Sequence, residues 1–187
     1  MNVSKNIPID VNGLIAEIVR RQNSPWNDGR INDYQNFPLI QKLFEYINSG
    51  IPKEDFFYQG PLYRIHTSYG TLQQFIEKDK EFLVSKVYCD DSCRVLPYTE
   101  ETEKLCAFSK HYDFTKFYKV YDERAIFLLC DTGDLYGIDV CALFSKFGIF
   151  NRFEFEQEVL FPIRKNLIVK EYKCTPKQFN YYMRGRI

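Results

Sequence analysis

The sequence predicts an α+β domain, and three observations carry that prediction. Apolar residues recur at helical spacing through the first fifty positions, short alternating or wholly apolar runs dominate after Gly60, and aromatic residues, 17 Phe and 14 Tyr, are abundant enough to fill a core between them. A length of 187 residues is that of one domain. Hydrophobic residues at 45% with charged residues at 27% exclude a disordered chain. Because 25 Lys+Arg balance 25 Asp+Glu, the chain is not a generally basic nucleic-acid binder, although a local basic patch remains open.

In chain order, Leu14, Ile15, Ile18 and Val19 place a helix over Val11 to Gln22. The polar stretch from Arg20 to Asn36, with Ser24-Pro25 and Asp28-Gly29, reads as a loop. A second amphipathic helix follows, with Phe37, Ile40, Leu43, Phe44 and Ile47 on one face and Asn48-Ser49-Gly50 ending it. Pro61 to His66 alternates and reads as a strand, and Thr71 to Leu83 returns to helical spacing. Glu103 to Lys110 is expected as a strand, Tyr112 to Tyr121 as a short helix, and Arg124 to Cys130 as a buried strand ending at the turn Asp131-Thr132-Gly133-Asp134. Tyr136 to Val140, Glu154 to Phe161 and Asn166 to Lys173 complete the expected strands, the second of them stopping at Pro162. The organisation expected is a single domain over 1–187, with a helical segment over 1–58 and a strand-rich core over 59–187.

Several chemistries find no support. The chain has two histidines and no H-E-x-x-H, no G-x-G-x-x-G and no G-x-x-x-x-G-K, so metallohydrolase, Rossmann and P-loop sites are set aside. Cys89 and Cys93 are not followed by a second cysteine pair at zinc-finger distance, so no metal site is expected. Cys106, Cys130 and Cys141 lie in apolar stretches and read as buried free thiols. The longest wholly apolar run, Ala125 to Cys130, is too short to span a bilayer, and the N-terminus carries no secretory h-region. The expected location is the cytoplasm, or the cytosol of a host or target cell after delivery, and the expected state is a monomer without membrane contact. The tail from Lys170 to Ile187 interleaves basic and aromatic residues, which suits single-stranded nucleic acid; a strand plus a docking segment covering the core is the favoured reading.

Three short stretches stand out together. In Phe153-Glu154-Phe155-Glu156-Gln157-Glu158-Val159-Leu160-Phe161-Pro162, strand alternation would put Glu154, Glu156 and Glu158 on one face, where mutual repulsion raises the pKa of at least one. A solvated acidic edge opposite a buried apolar face is the plainer reading of the same pattern. Upstream, Gly60-Pro61-Leu62-Tyr63-Arg64-Ile65-His66 places an Arg among apolar neighbours, and Leu105 to Asp113 centres on Ser109 at a strand-to-helix junction.

Taken in chain order, the three stretches resemble the R-S-E class of mono-ADP-ribosyltransferases, in the flavour of small bacteriophage and bacterial-toxin enzymes. Arg64, Ser109 and Glu156-Gln157-Glu158 match the motif residues. Gly137-Ile138-Asp139-Val140 is similar to the family's G-x-D-(I/V), and Glu158-Val159-Leu160-Phe161-Pro162 to its E-V-L-x-P. The likeness covers roughly residues 60 to 174. Two departures are visible: Ser109 is the only matching hydroxyl of its motif, and Ile65 and His66, not Gly, follow Arg64.

The resemblance implies two packed, mainly antiparallel sheets preceded by the helical segment, and transfer of ADP-ribose from NAD to a protein side chain, most readily arginine. It implies Glu158, Glu156 and Ser109 as catalytic residues, and Arg64, Ser109, Phe117, Tyr63 and His66 as the NAD-binding set. Glu158 would stabilise the oxocarbenium-like ribosyl cation, and Ser109 would hydrogen-bond Glu158. Arg64 would grip a phosphate or ribose oxygen. Phe117, with Phe114 and Tyr118 as rivals, would stack on nicotinamide. Glu156 would meet the acceptor guanidinium. A catalytically degenerate copy of this fold, or a binding module for RNA or protein, is the alternative reading.

Overall fold

Helix α1 spans Val11–Gln22 in the computed structural model, which describes residues 9–23, 36–50, 54–66, 88–90, 104–113, 125–163 and 170–185. Asp10 caps it, its carboxylate accepting from the Asn12 N–H at 3.1 Å, and Arg20 and Arg21 fill the last turn, where cations suit the helix dipole. Leu14 and Ile18, one turn apart, are fully buried, each contributing roughly 1.5–3 kcal/mol. Helix α2, Pro38–Ile47, starts with Pro38 and has no side-chain cap of its own. Glu17 of α1 supplies it instead: its carboxylate accepts from the N–H groups of Leu39 (3.0 Å) and Ile40 (3.0 Å). A negative charge thus satisfies the orphan donors at a helix N-terminus and ties the two helices together. At the other end, the Asn48 amide exchanges two hydrogen bonds with the backbone of Tyr136 (2.8 and 3.1 Å), docking α2 on the sheet.

The described strands are β1 (Phe57–Tyr58), β2 (Pro61–His66), β3 (Tyr88–Asp90), β4 (Lys104–Ser109), β5 (Ala125–Asp131), β6 (Gly137–Asp139), β7 (Glu158–Ile163) and β8 (Lys170–Cys174). They form one antiparallel sheet in the order β1-β6-β7-β4-β2-β5-β8-β3. With helices α3 (Val140–Lys146) and α4 (Pro176–Arg184), the fold is α+β. The expected pair of separate sheets is corrected by the pairing: the strands are continuous. The continuity is slender, however, because β2 meets β4 through the single pair Tyr63 and Ser109. On one side β7 and β4 pair over six residues, from Ser109 opposite Glu158 to Lys104 opposite Ile163. On the other, β2 and β5 pair over six, from Pro61 opposite Asp131 to His66 opposite Ile126.

The described residues form two apolar cores, and β2 contributes to both, with Leu62 in the first and Tyr63 and Ile65 in the second. Leu14, Ile18, Ile40, Leu43, Phe44, Leu105, Leu143, Leu160 and Phe161 belong to the first, under α1, α2 and α3. Tyr63, Ile65, Tyr172, Cys174, Phe179 and Met183 form the second, against α4. Helix α4 is opened by a capping box between Thr175 and Gln178, and its Phe179 and Met183 are buried, so the described part of the tail covers the core as favoured. Tyr181 of the same helix is 83% exposed.

Three local expectations are corrected. Glu154–Glu156 is a 3-10 turn, and β7 begins only at Glu158, so Glu154, Glu156 and Glu158 do not share a strand face. Asn151 wins the competition: its side chain accepts from the Phe153 N–H (3.0 Å), its carbonyl accepts from the Glu154 N–H (3.2 Å), and the turn closes with the Gln157 N–H on the Glu154 carbonyl (3.1 Å). Gln157 then takes a left-handed conformation (φ 49°) that ends the turn. Second, β7 runs through Pro162 instead of stopping there; the recorded pairing of β6 reaches only Val159 and Leu160, so Pro162 lies past it. Third, Val140 is helical. Asp139 accepts from the Ala142 N–H (3.0 Å) and starts α3 where a strand was expected to end. The helix expected over Thr71 to Leu83, and residues 114–121 of the one expected from Tyr112, lie outside the described residues. No helix among the described residues is long and apolar enough to cross a membrane.

Candidate functional site

The single pair that joins the half-sheets lies in a row of three residues: Tyr63 on β2, Ser109 on β4 and Glu158 on β7 stand opposite one another across adjacent strands. Directly opposed residues in antiparallel strands project to the same side, so register alone makes neighbours of residues far apart in sequence. Beyond Ser109, β2 no longer pairs with β4, and the carbonyls of Ala107 and Leu105, two residues apart, lie on the β4 edge that faces away from β7. Such carbonyls need donors. Two arginines provide them: Arg64 Nη1 donates to the Ala107 carbonyl (2.8 Å), and Arg21 Nη2 reaches the Leu105 carbonyl (3.5 Å). Arg64 therefore spans from β2 to β4 at the junction, two residues along from Ser109.

Glu158 is only 3% exposed, and both of its oxygens are held. Arg21 Nη1 donates to Oε1 at 3.0 Å, and Gln22 Nε2 donates to Oε2 at 2.6 Å. A carboxylate buried to this degree needs a cation and hydrogen bonds as partners, and α1 brings both. The expected bond from Ser109 to Glu158 is corrected: the Ser109 hydroxyl oxygen accepts from the His111 N–H at 3.0 Å, turning the chain out of β4. Ser109 positions Glu158 through backbone register, while α1 takes the carboxylate.

Glu156 still comes to the site, by a different route. The 3-10 turn folds it back, half-buried, and its pKa is raised first by burial and then by the Glu158 charge, with Arg21 opposing. The carboxylate pair anticipated from alternation is thus assembled by a turn. Lys110 secures that turn: its N–H donates to the Gln157 carbonyl (3.1 Å), and its Nζ pairs with Asp139 Oδ2 (2.5 Å), the same Asp139 that caps α3. Cys141, beside this cluster, is held as a thiol, its pKa pushed up to about 11 by burial and by Asp139.

Tyr63 places its ring in the second core, edge-on to Tyr112 (6.0 Å) and Phe179 (6.4 Å), and burial raises its hydroxyl pKa. His66 ends β2 opposite Ile126; its side chain and all of Phe117 lie outside the described residues. The structure brings Ser109, Glu156 and Glu158 together, bonds Arg64 to β4 two residues from Ser109, and turns the Tyr63 ring into the second core.

Sequence reasoning missed Arg21, Gln22, Lys110 and Asp139. For the first two a signal existed. Leu14 and Ile18 set a stripe on α1 whose next positions are 21 and 22, so an Arg and a Gln continue a buried face. Polar residues on a core-facing stripe require buried partners. Among the described residues, no group of three or more His, Cys, Asp or Glu could hold a metal ion. Chemically, the cluster offers two carboxylates, one of raised pKa, beside the Arg21 guanidinium, with Arg64 bonded to the nearby Ala107 carbonyl: a place to stabilise a developing cation. Compared with known proteins, the chain matches no family model, no curated protein and no solved structure.

Proposed function

We propose that the chain is an NAD-dependent mono-ADP-ribosyltransferase built on an ADP-ribosyltransferase-like core, with a protein arginine as acceptor. One observation carries the reading. Arg64, Ser109 and Glu158, from three separate stretches of sequence, meet at the junction of the half-sheets, with Ser109 directly opposite Glu158. In this reading NAD is a substrate. The bond from ribose C1′ to nicotinamide breaks, nicotinamide leaves with the bonding pair, and Glu158 stabilises the ribosyl cation. Arg64 uses its planar fork on a phosphate or ribose oxygen. A guanidinium nitrogen of the acceptor bonds to C1′, and Glu156 takes its proton, a task that suits a carboxylate of raised pKa. Action in a cytosol, as a phage, toxin or defence effector, fits this chemistry.

A second reading draws on a specific observation. Both oxygens of Glu158 are engaged by α1, as they would be in a degenerate fold that only binds a partner. One assay separates the two: incubation with labelled NAD and a cell lysate, scoring labelled protein and free nicotinamide. The enzyme reading expects both products from the wild type. It also expects a loss of about a hundredfold or more in Glu158→Gln, as removal of a transition-state charge requires. A folded wild type that yields neither product, or a folded Glu158→Gln of unchanged rate, rejects it.

A further inference from the structure

The carboxylate on which the proposed reaction depends is occupied by the chain itself. Arg21, whose side chain is 8% exposed, ion-pairs with Glu158 Oε1 at 3.0 Å, and Gln22 takes Oε2. The same guanidinium reaches the Leu105 carbonyl and lies close enough to Glu156 to lower its pKa against the effect of burial. Two carboxylates and a carbonyl around a planar cation are the surroundings that an incoming arginine, or the positive charge of a ribosyl cation, would seek.

We propose that the last turn of α1 is an intrasteric guard: Arg21 and Gln22 hold Glu158 until NAD displaces them. The inference rests on the transferase reading. How α1 is anchored makes a local release feasible. Its body is fixed by Leu14 and Ile18 in the first core and by Glu17, which caps α2. Beyond Glu158 and Leu105, the contacts of its end include Arg20, which donates to the Asn36 carbonyl (2.7 Å) and lies over the Phe37 ring (5.0 Å), and Asn23, whose side chain accepts from Arg152 (2.5 Å); the two hydrogen bonds are exposed, and water can replace them. Releasing residues 20–23 leaves those anchors untouched. The guard lowers apparent NAD affinity by the fraction of molecules in which Glu158 is open.

The test titrates wild type, Gln22→Ala and Arg21→Gln with NAD by calorimetry and follows nicotinamide release at sub-saturating NAD. Both variants are expected to bind more tightly, Arg21→Gln by about tenfold, and to turn over faster. Equal or weaker binding by folded variants overturns the guard and makes Arg21 a structural or substrate-holding residue. If Arg21→Gln loses its fold, Gln22→Ala and hydrogen exchange on the wild type decide. Saturating NAD speeds amide exchange at residues 20–23 if the guard leaves; unchanged or slowed exchange overturns it. Wild type and variants that neither bind NAD nor release nicotinamide remove the transferase reading itself, a result distinct from NAD binding that the variants leave unaltered.

Discussion

The two halves of the sheet meet at one residue pair but are built differently. The first half is sealed by three helices over an aliphatic and phenylalanine core, and Phe44 meets Phe161 edge-on at 5.9 Å. The second is smaller and rich in tyrosine: Tyr172 contacts Phe179 and Tyr182, both at 5.4 Å, and α4 is the one described helix packed on it. The polar cluster of Arg21, Arg64, Glu156 and Glu158 lies where the halves join. An apolar core tolerates buried charge only at its margin, where strand edges and helix ends supply partners. A junction between two cores is such a margin.

The comparison is broken most forcefully from within each core. Phe161→Ala is expected to cost about 3–5 kcal/mol in urea denaturation, as loss of a buried aromatic does. Phe179→Ala should strike its own half first. Hydrogen exchange should show β5, β8 and α4 losing protection while β4 and β7 keep theirs, because backbone pairing between the halves is a single residue pair and Phe179 lies in the second core. Uniform loss of protection after Phe179→Ala would show a single cooperative core instead. At the junction, Arg64→Lys keeps the charge and loses the fork, so under the proposed transferase function calorimetry should find NAD affinity lower by about tenfold, or 1.4 kcal/mol. Unchanged affinity would confine Arg64 to closing the β4 edge. In the second half, Thr175→Ala removes one side of the capping box and should cost about 1 kcal/mol. A variant as stable as wild type would mean that packing alone holds α4.

The smallest effect is a dependence on pH. The folded protein raises the Glu156 pKa, so it binds that proton more tightly than the unfolded chain does. The stability linked to this group is complete below the ordinary glutamate pKa and is lost as pH rises through the raised folded value. Glu156→Gln is therefore expected to be more stable than wild type at neutral pH, with the advantage vanishing in acid. Parallel melting temperatures across the pH series would mean that Glu156 is not desolvated in solution.

Much of the fold was legible. Helices α1 and α2 follow from apolar spacing, and β2, β4 and β5 from alternating or continuous apolar runs, because both periodicities are local. The errors are local as well. Phe153 to Glu158 alternates as a strand would, yet Asn151 offers nearby N–H groups a partner that a strand cannot. Val140 to Leu143 is an apolar run compatible with either element, and the Asp139 cap decides it. Of the candidate site, Arg64, Ser109, Glu156 and Glu158 were identified from their order and flanks, and the partners of Glu158 were not. Arg21 lies where the expected helix overlaps the polar stretch from Arg20, and its polarity, not its place on the stripe of α1, was taken as the signal.

By itself, the sequence determined which stretches are helical or extended and which carry the charged and hydroxyl groups, since those properties depend on neighbours a few residues away. Tertiary structure alone decided that Ser109 stands opposite Glu158, that a turn brings Glu156 back to it, and that the end of α1 holds its carboxylate. The contact between Arg21 and Glu158 joins residues 137 positions apart. No local periodicity encodes such a pairing; it exists because a carboxylate buried at the meeting of two half-sheets must find its cation among whatever groups the packing of the chain brings within reach.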